Sequence, residues 1–463
     1  MGKLSHLQPA RVFHYFEEIC GIPHGSGDTA RISDYCVAFA KAHNLTCHQD
    51  ALGNVIIKKP ATAGYESHPA VILQGHIDMV CEKAPDSPID FTTDGLDVDT
   101  DGELVFAHGT TLGGDNGIAV AMAFAILEAT DLAHPPLEVL LTVDEETGMY
   151  GAEGLDAAQL EGKILINVDS EEEGVLTVSC AGGARVELTL PLTYVPNTAP
   201  CWQVEVGGLQ GGHSGIEIDK GRLNANVVMA QFLRTIDCRL VTIGGGQKDN
   251  AIPVSSSAVI ACDTDPTAAA AAFAAAHRVD GDPDLTVSVA PATSAAAMTA
   301  ETTAAVLTLL TTVPNGVQAM STDIEGLVQT SLNLGILTTE GATLRASFAV
   351  RSSVGAEKAA LLEKLATLAP CTTYGHYPAW EYRKDSRLRD TMCAVWERTT
   401  GVKPTVAAIH AGLECGLFCE KIADLDAVSV GPNMWDVHTC RERLSVSSTA
   451  RVYAYLCDVL KEL

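Results

Sequence analysis

The sequence predicts an α/β fold: a mixed, mostly parallel sheet with helices on both faces, plus an inserted α+β lid domain. Three observations carry this. Short apolar runs alternate with helical patterns through residues 1–183 and again through 378–463. Several of those runs end in acids or a histidine rather than in ordinary turn residues. Between 184 and 377 the pattern becomes the apolar–polar alternation of half-exposed antiparallel strands, as in ARVELTL and CWQVEVGG. The expected division is therefore a catalytic domain in two parts, 1–183 and 378–463, with a lid domain inserted at 184–377.

Composition narrows the class of protein. A chain of 463 residues exceeds one ordinary core. With 47% hydrophobic and 19% charged residues it is globular. A net charge of −28 argues against nucleic acid and anionic membrane surfaces as partners, and it supplies the carboxylates that divalent ions need. The start, MGKLSHLQPARVFHYFEEIC, lacks the apolar core of a signal peptide, and the run Ile118 to Leu127 is too short to span a bilayer. The 14 cysteines form no CxxC pair, and Cys415 and Cys419 lack the companions of a zinc site. Reduced thiols and a cytoplasmic location are expected.

Taken in order, residues 9–20 carry apolar residues at helical spacing, GIPHGSGD at 21–28 is a loop whose His24 is expected to be exposed rather than to contact substrate, and 29–43 is a second helix. NVIIK at 54–58 and the stretch from Ala70 to Gln74 read as strands. The second opens VILQGHID, where His76 and Asp78 lie two apart and so face the same side of an extended segment. A carboxylate beside an imidazole fixes its tautomer for metal binding. After a Pro- and Gly-rich loop and a short strand at 104–107, GTTLGGDNG feeds directly into the helix IAVAMAFAILEAT, with Asp115 at the junction. LEVLLTV at 137–143 ends in Asp144, Glu145 and Glu146, and KILINV at 163–168 ends in Asp169. Adjacent acids at a strand end repel one another unless a cation offsets them. Ligands of parallel sheets gather at the carboxyl ends of strands, and His76, Asp78, Glu145, Glu146 and Asp169 all stand there. The joint reading is a carboxylate-rich metal centre.

The insertion then supplies GGHSG with His213, a helix after it, an alanine-rich helix at PTAAAAAFAAAH, and strands at 316–320 and 343–351. A helix at 386–399, the segment AIHAGLECGLF, a strand at 427–430, the loop GPNMWDVHTCRE and a final helix complete the chain.

The motifs GHID at 75–78, LGGDNG at 112–117, DEETG at 144–148, NVDSEEEG at 167–174, GGHSG at 211–215 and HAGLECGLF at 410–418 resemble the co-catalytic di-zinc exopeptidases. This family (M20) includes carboxypeptidase G2 and bacterial dipeptidases, and its aminoacyl-histidine dipeptidase branch is the most similar. The resemblance covers essentially the whole chain. It implies that Asp115 bridges two metals, with His76 and Asp169 completing one site and Glu146 and His438 the other. Asp78 would orient His76, Glu145 would be the general base, and His213 the oxyanion donor. Two zinc ions per chain are implied, with manganese or cobalt tolerated by the same donors. Arg351 is the candidate for a substrate's terminal carboxylate, against the rival reading of a solvated strand arginine. Asn250 is expected to help at that end, and Glu414 to meet the substrate amine. One departure stands out: where the family has His-Ser-Pro-Asp-Glu, this chain has His438-Thr439-Cys440-Arg441-Glu442.

The function implied is hydrolysis of Xaa-His and broader unblocked dipeptides by a metal-activated water. An N-acyl amino acid deacylase using the same centre is the alternative, since a deacylase need not meet a cationic amine. A metal-binding protein without turnover is disfavoured, because binding alone needs no base such as Glu145 beside the ligands. The partners expected are small dipeptides, with no nucleic acid and no membrane, and the chain is a monomer or homodimer. His213 would come from the same chain if the enlarged insertion folds back.

Overall fold

The computed structural model describes residues 2–463. Two units emerge from the chain's contacts: Met1–Ser179 with Tyr382–Ala408 and Leu413–Leu463, and Cys180–Glu381 with Ile409–Gly412. The excursion at 409–412 takes the first residues of HAGLECGLF into the second unit and leaves the rest in the first.

The first unit is built on an eight-stranded sheet. Its order is Thr46–Gln49, Val55–Lys59, Leu137–Thr142, Val71–His76, Ile164–Asn167, Asp426–Ser429, Val175–Cys180, Thr405–Ile409. Val71–His76 runs parallel to both of its neighbours, and Ile164–Asn167 runs parallel to Asp426–Ser429. Flanking pairs such as Val55–Lys59 with Leu137–Thr142 are antiparallel, so the sheet is mixed, as expected. Every residue of Val71–His76 and of Leu137–Thr142 is buried, which is why both read as continuous apolar runs rather than alternating ones. The polar intruder Glu138 is tolerated because its carboxylate accepts from the Glu161 and Gly162 amides at 2.9–3.1 Å and meets Lys58 Nζ at 2.8 Å.

Against this sheet lies the helix Gly114–Glu128, whose residues from Asn116 to Leu127 are all buried. Its small and branched apolar side chains fill the layer, each large one contributing roughly 1.5–3 kcal/mol. The approach is so close that a Cβ on Gly75 would sit 2.4 Å from Asn116 Oδ1 and 2.7 Å from Ala119 Cβ. Glycine at 75 thus lets the helix start beside the strand end that carries His76. Ala10–Cys20 packs on the same helix, with Tyr15 edge-on to Phe124.

In the second unit an antiparallel sheet runs in the order Thr286–Ala292, Cys201–Gly207, Ser256–Ala261, Arg239–Gly245, Val328–Glu340, Thr343–Ser352, Gly182–Pro191, Cys371–Tyr377, with Gly316–Met320 paired to Val328–Glu340. Helices Ala225–Leu233, Thr267–His277, Ala300–Thr312 and Gly355–Ala366 cover it around a core that includes Phe232, Leu310, Leu334 and Phe348. The strand Val328–Glu340 has no clear sequence signature. Buried Thr330, Ser331 and Asn333 stand among its apolar residues, and a register shift between Leu334 and Ile336 breaks the alternation.

Candidate metal centre

The parallel strands of the first unit end at one edge of the sheet, where His76, Asp78, Glu145, Glu146 and Asp169 stand at or just after the strand ends and Asp115 and His438 join them from other segments. His76 is the last residue of its strand and is 1% exposed. Its Nδ1 faces the Asp78 carbonyl at 3.0 Å and Asp78 Oδ1 at 3.3 Å, which places the proton on Nδ1 and turns Nε2 to the cavity. Nε2 lies 3.1 Å from Asp115 Oδ1 and 3.5 Å from Asp169 Oδ1. From the other side His438 Nε2 reaches Asp115 Oδ2 at 3.1 Å and Glu146 Oε1 at 2.9 Å. Asp115 therefore stands between two imidazoles, one on each carboxylate oxygen. Ligand atoms of His76, Asp115 and Glu146 all lie within 4.8 Å of one another.

Asp78 does more than hold the imidazole. Its Oδ1 accepts from the Glu145 amide at 3.0 Å, and its Oδ2 from the Glu146 amide at 3.3 Å and from Ser26 Oγ at 2.8 Å. One buried carboxylate so pins His76 and the turn that carries two further acids.

The glycine loop has an equally specific anchor that sequence reasoning did not single out. The Glu442 carboxylate accepts from the amides of Leu112, Gly113, Gly114 and Asp115 at 2.8, 3.2, 2.8 and 3.3 Å. Asp115 is also located through its neighbour Asn116, which accepts from the His76 amide at 3.1 Å and donates to the Val168 carbonyl at 2.6 Å. Glu442 was visible only as the retained end of the altered family loop. That alteration is absorbed locally. Thr439 Oγ1 donates to the Asp436 carbonyl at 2.7 Å and accepts from the Arg441 amide at 3.1 Å, closing the turn without a proline. His438 sits in it at φ +63°.

The electrostatics are those of a site short of positive charge. Burial opposes charging of His76, but its hydrogen bonds to Asp115, Asp169 and Asp78 outweigh this and raise its pKa well above the ordinary value. Hydrogen bonds to Asp115 and Glu146 lift His438 to about 11. Burial, with Asp115 and Glu146 nearby, pushes the Asp169 carboxyl up to about 7 against the opposing effect of His76. Burial also raises Glu145 well above the carboxylate range, reinforced by Asp169, Glu414 and Glu146 and opposed by His76. The donor set of two imidazoles and three carboxylates, with no thiolate, fits divalent metal ions.

Three other residues gain a definite environment in the structure. His24 is not an exposed loop residue: it is 3% exposed, its Nδ1 lies 2.5 Å from the Ile22 carbonyl, and burial lowers its pKa. Arg351 is not a solvated strand arginine but is 5% exposed. Glu414 is fully buried; its Oε2 accepts from Gln74 Nε2 at 2.6 Å and Thr142 Oγ1 at 2.8 Å, which ties it to the strand floor beneath the centre. His213, Asn250 and Arg351 belong to the second unit, where His213 pairs with Ala251 and the Ser214 amide donates to the Asn250 carbonyl at 2.9 Å.

Residues 72–462 match the family described as Peptidase family M20/M25/M40. The chain belongs to this family. It is a hydrolase acting on peptide bonds. It is 37% identical to the cytosol non-specific dipeptidase of Escherichia coli (strain K12), over 100% of this chain and 99% of that protein. Its structure is similar to that of the aminoacylhistidine dipeptidase from Vibrio alginolyticus, with a TM-score of 0.94 and 36% identity over 99% of this chain and 98% of that one. The aminopeptidase PepT from Bacillus cereus ATCC 10987 shares the fold at a TM-score of 0.60 and 14% identity, covering 98% of this chain and 99% of that one. Among the described residues no helix is long and apolar enough to cross a membrane.

Proposed function

We propose that the protein is a cytoplasmic, zinc-dependent dipeptidase acting on unblocked dipeptides, Xaa-His among them. Full-length similarity to two dipeptidases supports the dipeptidase reading. The observation that carries the chemistry is Glu145: among the described residues no hydrogen bond commits its carboxylate, while its neighbour Glu146 is drawn to His438 at 2.9 Å. In this reading His76 and Asp169 would hold one zinc ion and Glu146 and His438 the other, with Asp115 shared between them; manganese or cobalt would fit the same donors. Such ions lower the pKa of a bound water and polarise the scissile carbonyl. Glu145 takes the attacking water's proton and delivers it to the leaving amine.

The second unit carries groups of the chemistry that the rest of a dipeptide requires. His213 Nδ1 accepts from the amides of Gly215 and Ile216, both at 3.2 Å, so its proton resides on Nε2. Burial first, then the nearby cations Arg351 and Arg185, lowers its pKa. His213 is thus a neutral Nε2–H donor, suited to a developing oxyanion. Arg351 takes the terminal carboxylate, with Asn250 beside it. Glu414 supports the floor of the centre.

The test is a substrate panel with zinc, manganese or cobalt added: Xaa-His and other dipeptides, matched tripeptides, and N-acetyl amino acids. Dipeptides are cleaved, and tripeptides and N-acetyl amino acids poorly. Faster turnover of N-acetyl amino acids would replace this reading with a deacylase.

A further inference from the structure

The second unit holds a buried polar cluster in which Arg351 Nε and His410 Nδ1 are left unsatisfied. Arg351 stands opposite Ser331 in the antiparallel pairing of Val328–Glu340 with Thr343–Ser352, and opposite Gly183 on its other side. Directly opposed residues put their side chains on one face of the sheet. Arg351 Nη1 donates to Tyr377 Oη at 3.0 Å, and Tyr377 is packed over Gly183. Arg351 Nε has no partner, and among the described residues no carboxylate pairs with this guanidinium. The neighbouring cation, Arg185, is already paired with Asp249.

On the Ser331 side lies His410, brought in by the short excursion at 409–412. It is 5% exposed, its Nε2 meets Ser331 Oγ at 2.7 Å, and its Nδ1 has no partner. The segment is held by the Ala181 amide, which donates to the carbonyls of Ile409 and Ala411 at 3.1 and 3.0 Å. His213 is close by: a Cβ on Gly215 would sit 2.4 Å from the His410 carbonyl and 2.9 Å from His213 Cε1.

Burying a charge or a polar atom without a partner is costly, so this cluster calls for a ligand. One uncompensated guanidinium calls for one negative charge. Two unsatisfied nitrogens suit an anion with two acceptor oxygens, and the terminal carboxylate of a dipeptide is one. If Ser331 donates its hydroxyl proton to Nε2, the neutral ring of His410 carries its own proton on Nδ1, where the partner is missing. We propose that His410 donates from Nδ1 to the substrate's terminal carboxylate as a second donor beside Arg351, with Ser331 setting its tautomer. This rests on the dipeptidase reading given above, and it makes His410 a determinant of the requirement for a free carboxyl end.

The test compares a dipeptide with the same dipeptide carrying a C-terminal amide, in wild type and in His410→Ala, His410→Gln, His410→Asn, Ser331→Ala and Arg351→Met. Metal content and thermal midpoint confirm that each variant is folded. His410→Ala and His410→Gln raise KM for the free acid by about 10-fold or more, the scale of one charge-assisted hydrogen bond, with kcat changed far less. His410→Asn, whose amide nitrogen takes the place of Nδ1, restores most of that loss, and Ser331→Ala falls between. The preference for acid over amide shrinks by the same factor as KM rises. Equal losses on acid and amide, or an unchanged KM in His410→Ala, overturn the proposal. If Arg351→Met also leaves the acid-to-amide preference intact, the carboxylate reading of the whole cluster fails; if it abolishes that preference while His410→Ala does not, only the role of His410 fails.

Discussion

Neighbouring residues of one type do different work here because their surroundings differ. Glu145 and Glu146 share a turn and a carboxylate clamp, yet only Glu146 is drawn to an imidazole. Glu145→Gln is therefore expected to keep metal near normal while turnover falls at least ~100-fold, the scale of a lost general base. Glu146→Gln is expected to lose metal first. Metal analysis alongside kcat decides it, and equal metal loss in both variants contradicts the division of labour. His410 offers a second contrast through pH. Burial, then Arg351 and His213, lowers its pKa from 6.5 to about 3. Below 6.5 the unfolded chain takes up a proton that the folded chain refuses, so stability falls with falling pH by up to about 1.4 kcal/mol per pH unit from this group. Denaturant unfolding at several pH values should show wild type losing more stability between pH 6.5 and 5 than His410→Gln does. Identical pH profiles would show that the histidine ionises freely in the fold.

At the scale of elements, the site depends on two loops locked to each other. The strand ends present His76, Glu145, Glu146 and Asp169, but Asp115 comes from the non-helical start of Gly114–Glu128 and His438 from a loop. Glu442 joins those segments by gathering four consecutive amides of the glycine loop. Removing a buried acceptor strands its donors, at about 1–3 kcal/mol for each donor that water cannot reach. Glu442→Ala is accordingly expected to lower the melting temperature and to weaken metal binding, although Glu442 is not assigned as a ligand. Glu442→Gln, which keeps one acceptor oxygen, should lie between. A metal titration of Glu442→Ala with wild-type affinity would show that the loop holds its shape unaided.

For the whole molecule, metal and protons compete for the same cavity. Without metal, the folded chain binds protons at His76, His438 and Asp169 more tightly than the unfolded chain does. The folded state then carries more protons through neutral pH, and its stability falls as pH rises. Asp115 is shifted the other way, but its ordinary pKa of 3.8 confines its effect to acid. Metal replaces those protons, so the stabilisation by metal should grow from about pH 5.5 to 8.5. Melting temperatures with chelator and with added zinc, taken across that range, measure the gap, and saturation should require two ions per chain. A gap that narrows as pH rises, or saturation at one ion, would refute the two-metal centre.

The strands and most of the metal-centre candidates could be read directly from the chain. Each parallel strand is a short apolar run, and the polar residues that follow it necessarily emerge at the strand's end, so His76, Asp78, Glu145, Glu146 and Asp169 were legible from local order alone. Asp115 was legible from the glycine loop that precedes its helix. His438 was legible only through family resemblance, because nothing near it in the chain marks a ligand. The partners of these residues were not legible. Ser26 reaches Asp78, Glu442 reaches the 112–115 amides, and Ser331 reaches His410 across long stretches of chain. Whether an arginine such as Arg351 lies in water or is buried depends on which strands flank it and in what register. Local pattern determines which face of a strand a side chain occupies; only tertiary packing decides what that side chain meets, because hydrogen-bond partners and burial are set by segments that the sequence keeps far apart.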